Sequence, residues 1–306
     1  MASTATDIKD FLQAMVGPWM FMSLSARHMP LTVRQLVSRG DYGTLLSPSA
    51  FSSALFGNFW ATIGPEVKSS AEARVIPLLE GRIRGGKVVD DVAGVPARGV
   101  VVEVGAGSGQ WADVFARLHA GGGKGGPEGG IEKIYGIEPN PQSAAALRKR
   151  TTELGLEGTY EVVPLGIESL SDDAAWGHGG RAPLRPGSVD CIVSILCLCS
   201  IPDPAGNCKR LYDLLRPGGR WYVYEHVVAP RGGLAMRLYQ NQSDKASFLA
   251  GFVNIFWSFF LGGCLLCRDT KKTLREAGPW SEIDLAQPPT EAAYQVVPHI
   301  LGTLTK

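Results

Sequence analysis

No run of this 306-residue sequence reaches the roughly 18 to 20 unbroken apolar residues that a membrane-spanning helix needs. The two nearest stretches both break: Phe11 to Leu24 at Gly17-Pro18, and Phe252 to Leu266 at Asn254 and Gly262-Gly263. The amino-terminal stretch carries Asp7, Lys9 and Asp10 ahead of its first apolar stretch and lacks the cationic region and small-residue cleavage site of a secretory signal. An excess of charge of one sign is also missing. Thirty Lys and Arg stand against 29 Asp and Glu, a formal net charge of +1, which excludes bulk electrostatic recruitment to nucleic acid. Cysteine is sparse, with Cys191, Cys197, Cys199 and Cys208 in one region and Cys264 and Cys267 in another. Neither Cys197-Leu198-Cys199 nor the lone C-x-x-C at Cys264 to Cys267 supplies the paired ligand sets of a zinc site, so reduced structural thiols and no metal are expected. The expected setting is cytoplasmic, with peripheral membrane contact through the two apolar runs as a further expectation.

Apolar residues at 45% with charged residues at 19% describe a folded chain long enough to bury its own core. Glycine, at 38 residues, is well above its usual share of about 7%. Much of it lies in tracts without apolar periodicity, Gly121 to Gly130 (GGGKGGPEGG) and Trp176 to Gly187 (WGHGGRAPLRPG), which read as surface loops. The expected organisation is a helical cap or lid over residues 1–80, an insertion or linker over 81–98, and a main domain over 99–306. Trp19, Phe21, Phe51, Phe56, Phe59, Trp60, Phe256 and Trp257 form an apolar inventory suited to helix packing, with a subset available for a hydrophobic pocket.

Between the loops, β-rich runs alternate with helical patterns. Gly99 to Val104 (GVVVEV) is a continuous apolar strand, followed by Trp111, Val114, Phe115 and Leu118 at the spacing of one helical face. Lys133 to Ile137, Tyr160 to Leu165, Val189 to Cys199 and Arg220 to Val228 supply four more strands. Helices are predicted from Gln142 to about Glu153 and around Cys208 to Leu215, the latter stopped by Arg216-Pro217-Gly218-Gly219. Alternation of this kind implies an α/β fold, a doubly wound sheet of parallel strands with right-handed crossovers. Ligands of such sheets bind at the carboxyl ends of the strands.

The first strand ends in Glu103-Val104-Gly105-Ala106-Gly107-Ser108-Gly109. A phosphate-binding P-loop would need a closing Gly-Lys-Ser/Thr, and a dinucleotide fingerprint would need glycine where Gln110 stands. A plain connecting turn accounts for one or two of the glycines. G-x-G-x-G after an acid fits the turn of class I S-adenosylmethionine methyltransferases, in which missing Cβ atoms let the cofactor's methionine portion lie against the backbone. Glu103 would then offer negative charge to its ammonium and sulfonium. Glu138, ending the second strand, is placed to accept the ribose hydroxyls, and Pro139 offers an apolar surface to adenine. Gly166-Ile167-Glu168 closes the third strand, where Ile167 could cover the other adenine face.

The sequence resembles that family over roughly Gly99 to Lys306, through VEVGAGSG (Val102 to Gly109), GIEPNP (Gly136 to Pro141), SVDCIVSILCLCS (Ser188 to Ser200), LRPGG (Leu215 to Gly219), EHV (Glu225 to Val227), Gly263-Cys264 with Arg268 and Thr270, and Pro298-His299-Ile300. Within it the chain is most similar to membrane-associated alkyl-thiol S-methyltransferases, and more distantly to ubiquinone and menaquinone biosynthesis methyltransferases. The resemblance implies a Rossmann-like sheet of seven strands with an N-terminal helical cap, S-adenosyl-L-methionine as cofactor, and a cofactor contact at Leu196. It implies a small hydrophobic acceptor, first a thiol, with O- or C-methylation of a phenol, quinone or polyketide-like metabolite as the alternative enzyme reading. A cofactor-binding scaffold without catalysis is the alternative from another class. His226 and His299 match positions of the group and are the candidate bases, His226 foremost, with Glu225 either orienting His226 or acting as an independent acid. Methyl transfer from a sulfonium needs alignment more than acid catalysis, and a thiol with a pKa of about 8.5 asks little of a base.

Overall fold

The computed structural model describes residues 2–121, 130–170, 172–176, 183–229, 248–292 and 295–306. The loop assignments at 122–129 and 177–182 lie outside the described residues. In chain order the elements are α1 (Ala2–Ala26), α2 (Met29–Ser38), α3 (Tyr42–Leu46), α4 (Pro48–Leu79), β1 (Ile83–Arg84), β2 (Lys87–Val88), β3 (Gly99–Val104), α5 (Ala112–His119), β4 (Ile131–Ile137), α6 (Pro141–Glu153) and β5 (Tyr160–Val163). A 3-10 turn (Ile167–Ser169) leads to α7 (Asp173–Trp176), β6 (Val189–Ile195), α8 (Pro204–Leu214), β7 (Leu215–His226), α9 (Phe248–Phe260), α10 (Thr270–Glu276), β8 (Glu282–Ala286) and β9 (His299–Thr305).

Two compact units share the chain. The first takes Met1–Ile63, His226–Asp269 and Pro289–His299; the second takes Gly64–Glu225, Thr270–Pro288 and Ile300–Lys306. The second unit holds a seven-stranded sheet in the order β5-β4-β3-β6-β7-β9-β8. Its β3 pairs in parallel with β4 and β6, β4 with β5, and β6 with β7, whereas β8 and β9 run antiparallel. The sheet is therefore doubly wound about β3, the strand that ends in the glycine turn. Both its faces are covered, which is why β3 and β6 read as largely apolar runs, broken only by Glu103 in one and by Asp190 and Ser194 in the other: Val101, Val102, Ile192 and Val193 are all fully buried. The stretch expected as a linker, 81–98, holds the β1–β2 hairpin and is pinned by bonds from the Ala93 and Gly94 N–H groups to the Gly81 carbonyl and from the Tyr222 hydroxyl to the Val95 carbonyl.

In the first unit, hydroxyls fasten the C-terminal end of α9. Ser25 and Ser52 donate to the carbonyls of Phe260 and Phe259 at 2.7 and 2.6 Å, which satisfies acceptors that a helix end leaves open. Leu36, Phe51 and Leu55 form a small core against Phe259 and Phe260, and the Phe21 ring stacks on Trp257 while meeting Phe59 edge-on. Among the described residues, no helix is long and apolar enough to cross a membrane.

Three sequence boundaries move. The strand expected to run to Cys199 stops at Ile195, because Leu196 takes a left-handed φ of 54° and turns the chain. Cys197 and Cys199 therefore do not alternate along a strand. The strand expected to run to Leu165 ends at Val163. The Arg216 to Gly219 segment does not merely stop α8; it lies within β7, with the Gly218 N–H donating to the carbonyl of Lys306.

Candidate cofactor site and methyltransferase family

β3 and β4 end side by side, and the turn after β3 is tied to β4 by a bond from the Ala106 N–H to the Ile137 carbonyl. Gly105, Gly107 and Gly109 all adopt left-handed backbone, at φ of 67°, 57° and 84°, where a side chain is strained. At two of them the space of a Cβ is already taken by the protein itself. A Cβ on Gly105 would lie 2.5 Å from the Cys197 Cβ, and one on Gly109 would lie 2.9 Å from a Leu147 methyl. The glycines are thus needed first by the turn's own packing, a reason absent from the expectation built on the cofactor alone.

Glu138 is the best-held acid of the site. It lies directly after β4 and is 8% exposed. One oxygen accepts the Gly107 N–H at 2.8 Å and the other accepts the Asn140 N–H at 2.8 Å. Each oxygen keeps a second lone pair, so a neighbouring diol could be bound by a carboxylate whose orientation is already fixed. Burial raises its pKa, and the two backbone bonds oppose that shift. Asn140 meanwhile caps α6, its side chain accepting from the Gln142 and Ser143 N–H groups. Pro139 beside them is exposed.

Glu103, the acid within β3, is set differently from Glu138. It is buried, and the Tyr160 hydroxyl donates to its carboxylate. Burial pushes its pKa up to about 8, against the Tyr160 bond that lowers it. Near neutral pH the free chain therefore offers a mostly protonated acid there instead of the standing negative charge expected from sequence. Tyr160 was not singled out by sequence reasoning, although Gly136 was the signal: a Cβ at that in-strand glycine would collide with the Tyr160 phenol. Because the folded pKa exceeds the ordinary 4.5, Glu103 binds more protons folded than unfolded, and its contribution to stability is lost as pH rises from about 4.5 through about 8. Glu103→Gln should therefore gain stability relative to the parent between pH 6 and pH 9, read as the difference in urea midpoints at the two values. A constant difference would remove the buried acid as a source of pH dependence.

At the end of β5, Ile167 is buried within the 3-10 turn and Glu168 is exposed, folded back so that its carboxylate fills the space of a Cβ at Gly166. Leu196 follows β6, its N–H bonded to the Tyr224 carbonyl. Glu225 is fully buried near the end of β7, and its carboxylate accepts the N–H groups of Cys197 and Leu198 at 3.0 to 3.2 Å. Successive residues of a strand face opposite sides, so Glu225 and its neighbour His226 point apart. In the first unit, His226 is buried, with its Nε2 3.0 Å from the Cys264 Sγ, and the Trp257 indole donates to that sulfur at 3.1 Å. His299 is held by Glu291, which takes both its backbone N–H at 2.8 Å and its Nδ1 at 2.6 Å. The carboxylate that stands beside His299 is thus that of Glu291.

The donor set suits a cofactor carrying a diol and no phosphate: a glycine turn without a lysine, followed by a fixed carboxylate. Residues 83–261, more than half of the sequence, match the family described as Methyltransferase domain. The chain belongs to the methyltransferase-domain family, whose cofactor is S-adenosylmethionine. It is similar to thiol S-methyltransferase TMT1B of Homo sapiens, 35% identical over 40% of this chain and 46% of that protein. To the TMT1B of Rattus norvegicus it is 30% identical over 57% of this chain and 62% of that one. A ubiquinone biosynthesis O-methyltransferase of Cupriavidus pinatubonensis is 27% identical over 44% of each chain. The matched segments span about half to three-fifths of these relatives.

Proposed function

We propose that this methyltransferase moves a methyl group from S-adenosylmethionine to the sulfur of a small hydrophobic thiol. The observation that carries the cofactor half of this reading is Glu138, a carboxylate fixed by two backbone N–H groups beside the glycine turn. The acceptor half rests on the similarity to proteins named thiol S-methyltransferases. When bound, the cofactor would supply a methyl group on a sulfonium whose sulfur departs as a neutral thioether and so needs no proton. The chain's tasks are then to hold that group, align the acceptor and receive one proton. Gly105, Ala106, Gly107 and Gly109 give the backbone surface for the methionine portion, Glu138 takes the ribose hydroxyls, and Pro139 with Gly166, Ile167, Glu168 and Leu196 borders the adenine. His226, the last residue of β7, receives the acceptor's proton, and His299 is the second basic group. His226→Ala should lower turnover by about a hundredfold, within the usual range for a lost general base, while leaving cofactor affinity within about twofold. Unchanged turnover across pH would remove His226 from this role.

The similarity to an O-methyltransferase favours phenols as a second acceptor class. A phenol has a pKa near 10 and leans on the base more heavily, so His226→Ala should cost phenol methylation more than thiol methylation. For the setting, we propose peripheral contact with a membrane surface through α1. Leu12, Val16, Trp19 and Met20 recur on one helical face and are each 45 to 59% exposed, as expected of an interfacial helix. Co-sedimentation with liposomes that is lost on Trp19→Asp is the expected result, and equal recovery of both proteins in the supernatant would contradict it.

A further inference from the structure

The Glu225 carboxylate sits in a concavity of backbone N–H groups. It receives Cys197 N at 3.0 Å and Leu198 N at 3.2 Å, and the Cys197 thiol lies 3.3 Å from Oε1. That concavity exists because Leu196 is left-handed, a conformation costly for leucine that persists only where its surroundings demand it. A left-handed residue ahead of two inward N–H groups is the geometry of an anion nest, and Glu225 is the anion. The other side of the same loop meets the glycine turn, since the Cys197 Cβ occupies the place a Cβ would take on Gly105.

We propose that Glu225 is a positioning residue of the cofactor site: it seats the Leu196–Leu198 turn so that Cys197 braces Gly105, and it engages the Cys197 thiol so that this sulfur stays masked. The proposal rests on the reading of the glycine turn as the cofactor's bed, and it replaces an acid or His-orienting role for Glu225. Burial and the neighbouring Glu225 charge both raise the Cys197 pKa well above its ordinary value, in keeping with a thiol held back from reaction. A masked sulfur has a plain use beside a methyl donor, because an exposed thiolate there would compete with the acceptor.

Alkylation by iodoacetamide, followed peptide by peptide, tests the mask without any cofactor. Glu225→Gln should speed labelling of Cys197 by about tenfold or more and weaken S-adenosylmethionine binding in calorimetry by about tenfold, as expected when a charge-assisted contact is lost. Labelling of exposed Cys267 should not change, and that of buried Cys191 and Cys208 should stay slow. Unchanged Cys197 labelling, or equal acceleration at Cys191 and Cys208, would overturn the local role. Hydrogen exchange on the unaltered protein gives a second measurement that no variant can spoil. The Cys197 and Leu198 amides, outside any helix or strand, should be protected, and rapid exchange of both overturns the clamp. Absence of S-adenosylmethionine binding by the parent protein would instead sink the cofactor reading, leaving exchange and labelling to judge Glu225 by themselves.

Discussion

Gly105→Ala should abolish measurable S-adenosylmethionine binding, a loss of at least about a hundredfold, and lower the stability of the second unit. Two independent penalties act at this position. The backbone φ of 67° costs an alanine roughly 1 to 2 kcal/mol relative to glycine. The new Cβ would also sit 2.5 Å from the Cys197 Cβ, a carbon on a loop held by the buried Glu225 and so unable to give way cheaply. The turn must then shift as a body, carrying the Gly107 N–H away from Glu138. Calorimetric titration with thermal denaturation reads both effects. Affinity within threefold of the parent would mean that the cofactor does not depend on this turn. Gly121→Ala is a suitable control, because it carries the same left-handed strain, at a φ of 73°, while its Cβ would meet nothing within 4 Å.

Glu138→Ala is expected to weaken the same binding by about a hundredfold, the scale of losing two charge-assisted hydrogen bonds. Glu138→Gln should lose about tenfold, since an amide keeps one acceptor oxygen but presents a donor to one of the two N–H groups that now converge on the carboxylate. Turnover at saturating cofactor should fall much less in both variants, because the proposed role lies in binding and not in the chemical step. That pattern is the reverse of the one expected for His226→Ala. If Glu138→Ala instead lowered turnover with affinity intact, the carboxylate would belong to the reaction and the ribose assignment would fall.

The architecture was legible because alternating strand and helix patterns permit few topologies, and the parallel pairing from β5 through β7 follows from them. Glu138 was legible for a related reason: an acid followed by proline at the end of a buried strand can only sit at the carboxyl edge of the sheet. What sequence could not carry was the identity of partners brought in from elsewhere in the chain. Tyr160 reaches Glu103 across 57 positions, and its hydroxyl only partly offsets the burial that raises the pKa of that acid. Glu225 lies beside His226 in sequence, yet the pleat of β7 sends it to the loop after β6. Leu196 gave no sign of its left-handed turn, since leucine carries no preference for it, and the error in the end of β6 followed from that residue. His299 stands out by resemblance alone, and its carboxylate partner Glu291 lies eight residues upstream in a stretch without a regular pattern.

The most direct measurement is mass spectrometry of a panel of small hydrophobic thiols incubated with the protein and methyl-labelled S-adenosylmethionine. One labelled methyl group on the acceptor sulfur, with an equal amount of S-adenosylhomocysteine formed and both lost in Gly105→Ala, is the expected result. No methyl gain on any thiol, together with calorimetric binding of a nicotinamide dinucleotide in place of S-adenosylmethionine, would contradict it.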